Sequence, residues 1–171
     1  MTLLCLILAG GKSIRMKQDK ALMFDTVNSL SQELIARGCE VIVACGNEKR
    51  TQLFTANCWL DPLETSSLAE VVRSFTQEND TEIQLFPCDM YRLDSHAIDD
   101  LLNQPPGVPT DANGQDQFTL ARIPRGCKLP RSKSMKGLFS QFDRNDMHHL
   151  GAKLENFNFP NQIDDLNKSD Q

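Results

Sequence analysis

The stretch Leu3-Leu4-Cys5-Leu6-Ile7-Leu8-Ala9-Gly10-Gly11 decides the fold. Seven consecutive apolar residues without polar alternation describe a strand covered on both faces, as strands of a parallel sheet are. The glycine pair ends it, and a polar loop follows from Lys12 to Lys20. Residues 40–45 repeat the pattern and stop at Gly46-Asn47. Between the two runs, residues 28–37 place Leu30, Leu34 and Ile35 at helical spacing, with Gly38 as a stop signal. Beyond them the spacing predicts a short helix at 48–54 and a strand at 57–60. A helix at 65–75 follows, with Leu68, Val71, Val72 and Phe75 on one face. A strand at 82–86 ends in Pro87-Cys88-Asp89, and Ser95 is the expected N-cap of a helix running to Leu102. Strands alternating with helices predict an α/β fold, three-layered around a mostly parallel central sheet.

The last third changes character. Five of the eight prolines lie between residues 105 and 130, marking a loop-rich region. The pattern there predicts a strand at 117–123, a helix at 134–142, a strand at 154–159 and a closing helix at 162–167.

A length of 171 residues suits one domain, expected to span 1–171. With 40% hydrophobic and 24% charged residues the balance is that of an ordinary globular chain, which excludes collagen, coiled coil and disorder. The apolar run at 3–9 is too short to cross a bilayer. It has no basic segment before it, so neither a membrane anchor nor a signal peptide is expected. The net charge of −5 argues against general nucleic-acid binding. Cys5, Cys39, Cys45, Cys58, Cys88 and Cys127 form no CxxC and no zinc-type spacing, so reduced, mostly buried thiols and a cytoplasmic setting are expected. Arg122, Arg125, Lys128, Arg131, Lys133 and Lys136 lie in an acid-free run, readable as an attractor for anions or as a solvated loop. His148-His149 reads as surface and Trp59 as near-core.

The segment after the first strand can carry chemistry. Gly10 and Gly11 let the backbone approach a ligand, and their N–H groups can cradle a phosphate or read a base edge. Arg15 and Lys20 add fixed positive charge. The segment is not a P-loop, because Leu6 stands where the first glycine is required, and it is not GxGxxG. From these residues alone, nucleotide binding and a plain strand-to-loop turn both stay open.

The run LAGGKSIRMKQDKAL, residues 8–22, resembles the nucleotide-binding signature of the molybdenum cofactor guanylyltransferases, the MobA-type family. The related cytidylyltransferases typically carry LAAG, so Gly10-Gly11 implies guanine. Phe86-Pro87-Cys88-Asp89-Met90 resembles the family's CDMP motif, which supplies a magnesium-binding aspartate. Residues 154–160 resemble its FxNxNTP segment, and Asp61 stands where the family places an aspartate near the nucleoside. Four departures accompany the match. Lys17 replaces a glycine, Glu64-Thr65-Ser66-Ser67-Leu68 replaces Gly-Pro-Leu-Ala-Gly, Tyr91-Arg92 replaces Pro-Phe, and Phe159 replaces a threonine.

The resemblance implies a Rossmann-like nucleotidyltransferase fold and transfer of GMP from GTP to molybdenum-bound molybdopterin, with release of pyrophosphate. It implies nucleotide contacts from Leu8, Ala9, Gly10, Gly11, Lys20, Asp61 and Asp89, and Mg²⁺ held by Asp89. Arg15 and Lys20 would neutralise the triphosphate, and Asn156 and Asn158 would orient the acceptor. The acceptor phosphate is already a nucleophile, so no general base is expected. A nucleotidyltransferase with another base or acceptor, and a non-catalytic nucleotide-binding homologue, remain as alternatives.

Overall fold

The computed structural model describes residues 2–10, 19–157 and 161. A five-stranded sheet is built from β1 (Leu4–Leu8), β2 (Glu40–Gly46), β3 (Asn57–Leu60), β4 (Ile83–Pro87) and β6 (Arg122–Ile123), in the order β3-β2-β1-β4-β6. The first four strands run parallel, and β6 is antiparallel to β4. A small parallel pair, β5 (Val108–Thr110) and β7 (Arg144–Asp146), stands apart from it.

The strand β1 shows why its sequence carries no alternation. Cys5, Ile7 and Ala9 face one core, with Val27, Leu30 and Leu34 of α1 (Thr26–Ala36) and Ala97, Ile98 and Leu101 of α3 (Ser95–Leu102). Leu4, Leu6 and Leu8 face a second core with Ala69, Val72 and Phe75 of α2 (Leu68–Glu78) and Leu138 of α4 (Met135–Leu138). All five β1 residues are buried. Two apolar layers on one sheet are the three-layer arrangement the pattern predicts.

Several expectations are corrected in detail. The α3 helix is capped by Asp94 rather than Ser95, its carboxylate accepting from Ala97 N at 2.9 Å. Leu68 opens α2 and is 41% exposed, so it leaves the apolar face. Ser67 instead caps α2 in a reciprocal box with Glu70, whose carboxylate also accepts from Ser66 N at 2.6 Å. The strand expected at 117–123 is a 3₁₀ turn, Phe118–Leu120, followed by the two residues of β6. Its polar residues are drawn into buried hydrogen bonds instead. Gln117 N donates to Pro109 O at 2.8 Å, and Gln84 Nε2 on β4 donates to Leu120 O at 2.8 Å. The helix expected at 134–142 is only α4, with Ser134 as its N-cap. Leu154 ends a 3₁₀ segment, His148–Leu154, and residues 155–157 form no strand. The closing helix expected at 162–167 falls outside the described residues.

Arg122, read with the basic run, belongs to the interior. It donates to Glu82 Oε1 at 2.9 Å and to Leu102 O at 3.0 Å. Lys128, Arg131, Lys133 and Lys136 are exposed, and Arg125 meets Asp80 at 3.1 Å. Both histidines of the 148–149 pair are on the surface. Trp59 packs edge-on against Phe75 with centroids 5.2 Å apart and donates to Glu78 Oε2 at 2.9 Å. All six cysteines are free thiols. No helix among the described residues is long and apolar enough to cross a membrane.

Candidate active site

The chain leaves β1 toward β2 and β3 on one side, then returns past β1 to β4 on the other. That reversal opens a crevice at the carboxyl ends of β1 and β4, where open α/β sheets bind ligands. Gly10 follows β1 and Asp89 follows β4, so the two most suggestive sequence segments flank the crevice.

Across it, Lys20 Nζ donates to Asp89 Oδ2 at 3.0 Å, with the two side chains 15% and 16% exposed. The backbone beneath them is tied to its surroundings. Tyr91 Oη donates to Lys20 O at 3.1 Å, and Phe157 N donates to Asp89 O at 3.1 Å. Asn156, beside Phe157, donates to Gln117 Oε1 at 3.0 Å, and Gln117 donates to Asp111 Oδ2 at 2.7 Å.

The β1–β2 side forms a rigid floor. Ala9 N donates to Ala44 O at 2.9 Å, and Ala9 O accepts from Arg50 Nη2 at 2.7 Å. Both backbone groups of Ala9 are therefore used within the protein, and Leu8 is buried in the core. These two residues serve to place Gly10. A Cβ on Gly10 would lie 3.0 Å from Gly46 N and 3.3 Å from Asp61 Oδ2. The first neighbour is backbone, so a side chain at position 10 would fit only if that backbone gave by a few tenths of an ångström. Gly46 has φ +91°, a region that favours glycine, and its carbonyl accepts from Asp61 N at 3.0 Å. Asp61 thus sits over the glycine turn. Its Oδ1 is buried and has no hydrogen-bond partner among the described residues, and burial pushes its carboxyl above the usual range while Arg50 pulls it back.

Arg50 is the residue that the sequence reading missed. Its guanidinium pairs with the Asp19 carboxylate, donates to Ala9 O, and donates through Nε to Cys45 O at 2.8 Å. Asp19 Oδ1 in turn accepts from Ala21 N at 3.0 Å. One planar fork therefore ties the ends of β1 and β2 to the exit of the loop that carries Lys20. Nothing local marks it, because its partners converge only in the folded chain.

Of the expected site residues, Lys20 and Asp89 meet directly, and Gly10 and Asp61 meet across the glycine turn. Asn156 is brought to the end of β4. Gly11, Arg15 and Asn158, and the departures at Lys17 and Phe159, lie outside the described residues. No group of three or more His, Cys, Asp or Glu among the described residues could hold a metal. A single hard carboxylate at Asp89 suits Mg²⁺ provided that phosphate oxygens and water complete the shell. The neighbouring Cys88 thiol is pushed up to about 12 by burial, and a soft thiol is a poor match for Mg²⁺, which prefers oxygen ligands.

A parallel sheet with a glycine turn and a lysine–aspartate pair at its switch point has the form of a ligand site in an open α/β sheet. Residues 5–146 match the family described as the MobA-like NTP transferase domain, and the chain belongs to that family. No curated protein matches it. Among solved structures, it is similar to a molybdopterin-guanine dinucleotide biosynthesis protein A from Archaeoglobus fulgidus, with a TM-score of 0.70 and 11% identity. That alignment covers 98% of this chain and 100% of that one. The Aquifex aeolicus VF5 protein Aq1419 aligns with a TM-score of 0.70 and 16% identity, over 91% and 92% of the two chains. A CMP:2-keto-3-deoxy-manno-octonic acid synthetase complexed with CTP aligns with a TM-score of 0.65 and 12% identity, over 98% of each chain. At these identities the likeness is one of fold.

Proposed function

We propose that the protein is a Mg²⁺-dependent guanylyltransferase that moves GMP from GTP to molybdopterin, forming the guanine dinucleotide cofactor and pyrophosphate. The observation that carries the reading is the Lys20–Asp89 pair at the switch point, 3.0 Å apart and nearly buried. One group can pair with phosphate and the other with a cation, and a bound nucleotide supplies a partner for each.

The reaction asks little covalent work of the chain. The acceptor phosphate is anionic at neutral pH, and the barrier lies in anion repulsion and in-line alignment. Lys20 turns from Asp89 to the triphosphate and neutralises it. Asp89, so released, would hold Mg²⁺, which when bound would screen the phosphate charge. Asp61, above the Gly10–Gly46 turn, offers a carboxylate to donors on the nucleoside. Asn156 stands beside the segment that docks on Asp89 and orients the acceptor. The Tyr91 hydroxyl is pushed far up by burial, and Cys88 is likewise protonated, so neither provides a base or nucleophile. The signature Leu8-Ala9-Gly10-Gly11 supports guanine, and the thiol-rich, disulfide-free chain supports a cytoplasmic setting.

A thermal-shift panel of GTP, CTP, UTP and ATP with Mg²⁺ tests the base, and GTP is expected to stabilise selectively. Incubation with GTP and molybdopterin tests the transfer by release of pyrophosphate. Equal stabilisation by CTP overturns the guanine assignment, and binding without pyrophosphate release overturns the acceptor.

A further inference from the structure

The loop that bears Lys20 leaves the crevice through an unusual backbone. Phe24 and Asp25, neither of them glycine, have φ of +56° and +52°. L side chains rarely adopt this region, and two successive residues in it persist only where surrounding contacts over-determine them. Such strain concentrates where geometry is held for function; Asn28 Nδ2 donates to Asp25 Oδ1 at 3.1 Å and Thr26 Oγ1 to Met23 O at 3.0 Å, and one further residue ties the turn to the strand end that carries Asp89.

That residue is Tyr91, two positions after Asp89. Its hydroxyl donates to Lys20 O at 3.1 Å. Its ring meets Phe24 edge-on, with centroids 5.1 Å apart and planes at 68°, and packs against Phe157 at 5.4 Å. Phe157 N is itself bonded to Asp89 O. Tyr91 thus touches the turn at two points, Lys20 and Phe24, two residues beyond Asp89. Phe24 is 53% exposed, so burial of its own ring does not account for its position.

We infer that Tyr91 is a positioning residue for the triphosphate, holding the Lys20 backbone through its hydroxyl and the Phe24 turn through its ring. The inference rests on the reading of Lys20 as a phosphate ligand. Tyr91 stands where the resembled family carries proline, which has no hydroxyl, so this chain fixes its lysine by means of its own. The ring contacts alone would make Tyr91 a packing residue. The hydroxyl contact assigns it to Lys20.

Tyr91→Phe keeps the ring and removes one donor. Calorimetry would compare wild type, Tyr91→Phe, Lys20→Ala and the double variant against Mg²⁺–GTP, inorganic tripolyphosphate with Mg²⁺, and GMP. Tyr91→Phe is expected to weaken GTP and tripolyphosphate by about 3- to 10-fold, the scale of one buried hydrogen bond, and GMP by less than about 2-fold. In the Lys20→Ala background it is expected to cost nothing further, because it acts through that lysine. Phe24→Gly, which relieves the backbone but drops the ring contact, is expected to show the same preference for loss on triphosphates. Equal losses on GTP and GMP, or additive losses in the double variant, would overturn the inference. Wild-type GTP affinity in Lys20→Ala would remove the phosphate-ligand reading and the inference with it. Loss in Lys20→Ala with none in Tyr91→Phe would remove the inference alone.

Discussion

Lys20 holds the carboxylate that a metal would need, and this makes an unusual prediction about metal affinity in the absence of nucleotide. Replacing Lys20 with methionine keeps an unbranched side chain and removes the charge. Two unit charges 3.0 Å apart attract by about 5–6 kcal/mol at an effective dielectric of about 20. Both side chains are mostly withdrawn from water, so desolvation offsets much of that. A charge-assisted bond of this kind nets about 1.5–3 kcal/mol. A cation that must displace the ammonium from Asp89 works against that amount. Lys20→Met is therefore expected to tighten Mn²⁺ binding to the nucleotide-free protein by about 10- to 100-fold. The same variant weakens Mg²⁺–GTP binding by at least about tenfold, since the triphosphate loses its ammonium. Electron paramagnetic resonance of free Mn²⁺ reads the first effect directly. The variant leaves Asp89 without its lysine, so its Tm falls and Mn²⁺ should restore it. Unchanged or weaker Mn²⁺ affinity in Lys20→Met, with a native circular dichroism spectrum, would refute the exchange of lysine for metal at Asp89.

Asp89→Asn is expected to keep the fold and to lower kcat at saturating Mg²⁺ by about 100-fold or more, on the scale of a lost electrostatic contact in a transition state; near-normal turnover would contradict the metal assignment. Gly10→Ala forces a Cβ to 3.0 Å from Gly46 N, and is expected to cost about 1–3 kcal/mol and to depress Tm, read by denaturant titration. Asp61→Asn should trade binding for stability. Because the folded-state pKa of Asp61 is raised, its neutral form is the stabilising one, fully present below the ordinary 3.8 and lost as pH rises through the raised value. At pH 7 the ionised carboxylate burdens the ligand-free fold. The asparagine variant should therefore melt higher than wild type at pH 7, show no such gain at pH 3, and bind GTP about tenfold more weakly. A lower Tm at pH 7 would contradict the burial argument.

The central sheet was legible because burial on both faces writes itself into sequence without ambiguity. Residues 3–9 and 40–45 carry no period, and each strand feeds two cores. The errors fall where the chain is short and mixed. Residues 117–123 contain Phe118, Leu120 and Ile123 among polar residues, and seven residues cannot separate a strand from a 3₁₀ turn. Hydrogen bonds from Gln84 and to Pro109 decide it, and both are distant in sequence. Leu68 looked like core because it matches a helical face, yet at the first turn of α2 it is Ala69 that packs into the core and Leu68 that is exposed. At the site, Lys20 and Asp89 were readable from their motifs. Arg50 was not, since its meaning lies in three partners gathered at strand ends. Gly10 was read for its approach to a ligand, and the close backbone contact with Gly46 that it also makes is distant in sequence and left no local sign.

The contact between Gly10 and Gly46 also bears on how such a site can change. Neither position accepts a side chain while the other backbone stays in place, and Gly46 is further restricted by its φ. A first substitution at either residue therefore asks the facing backbone to give by a few tenths of an ångström, so this seam changes less readily than its surroundings. Asp61 and the loop after it, and Tyr91 on the opposite bank, carry no such restriction. A protein engineer seeking a different base or acceptor would leave the seam between β1 and β2 untouched and randomise the two banks, where this chain has already parted from the pattern it resembles.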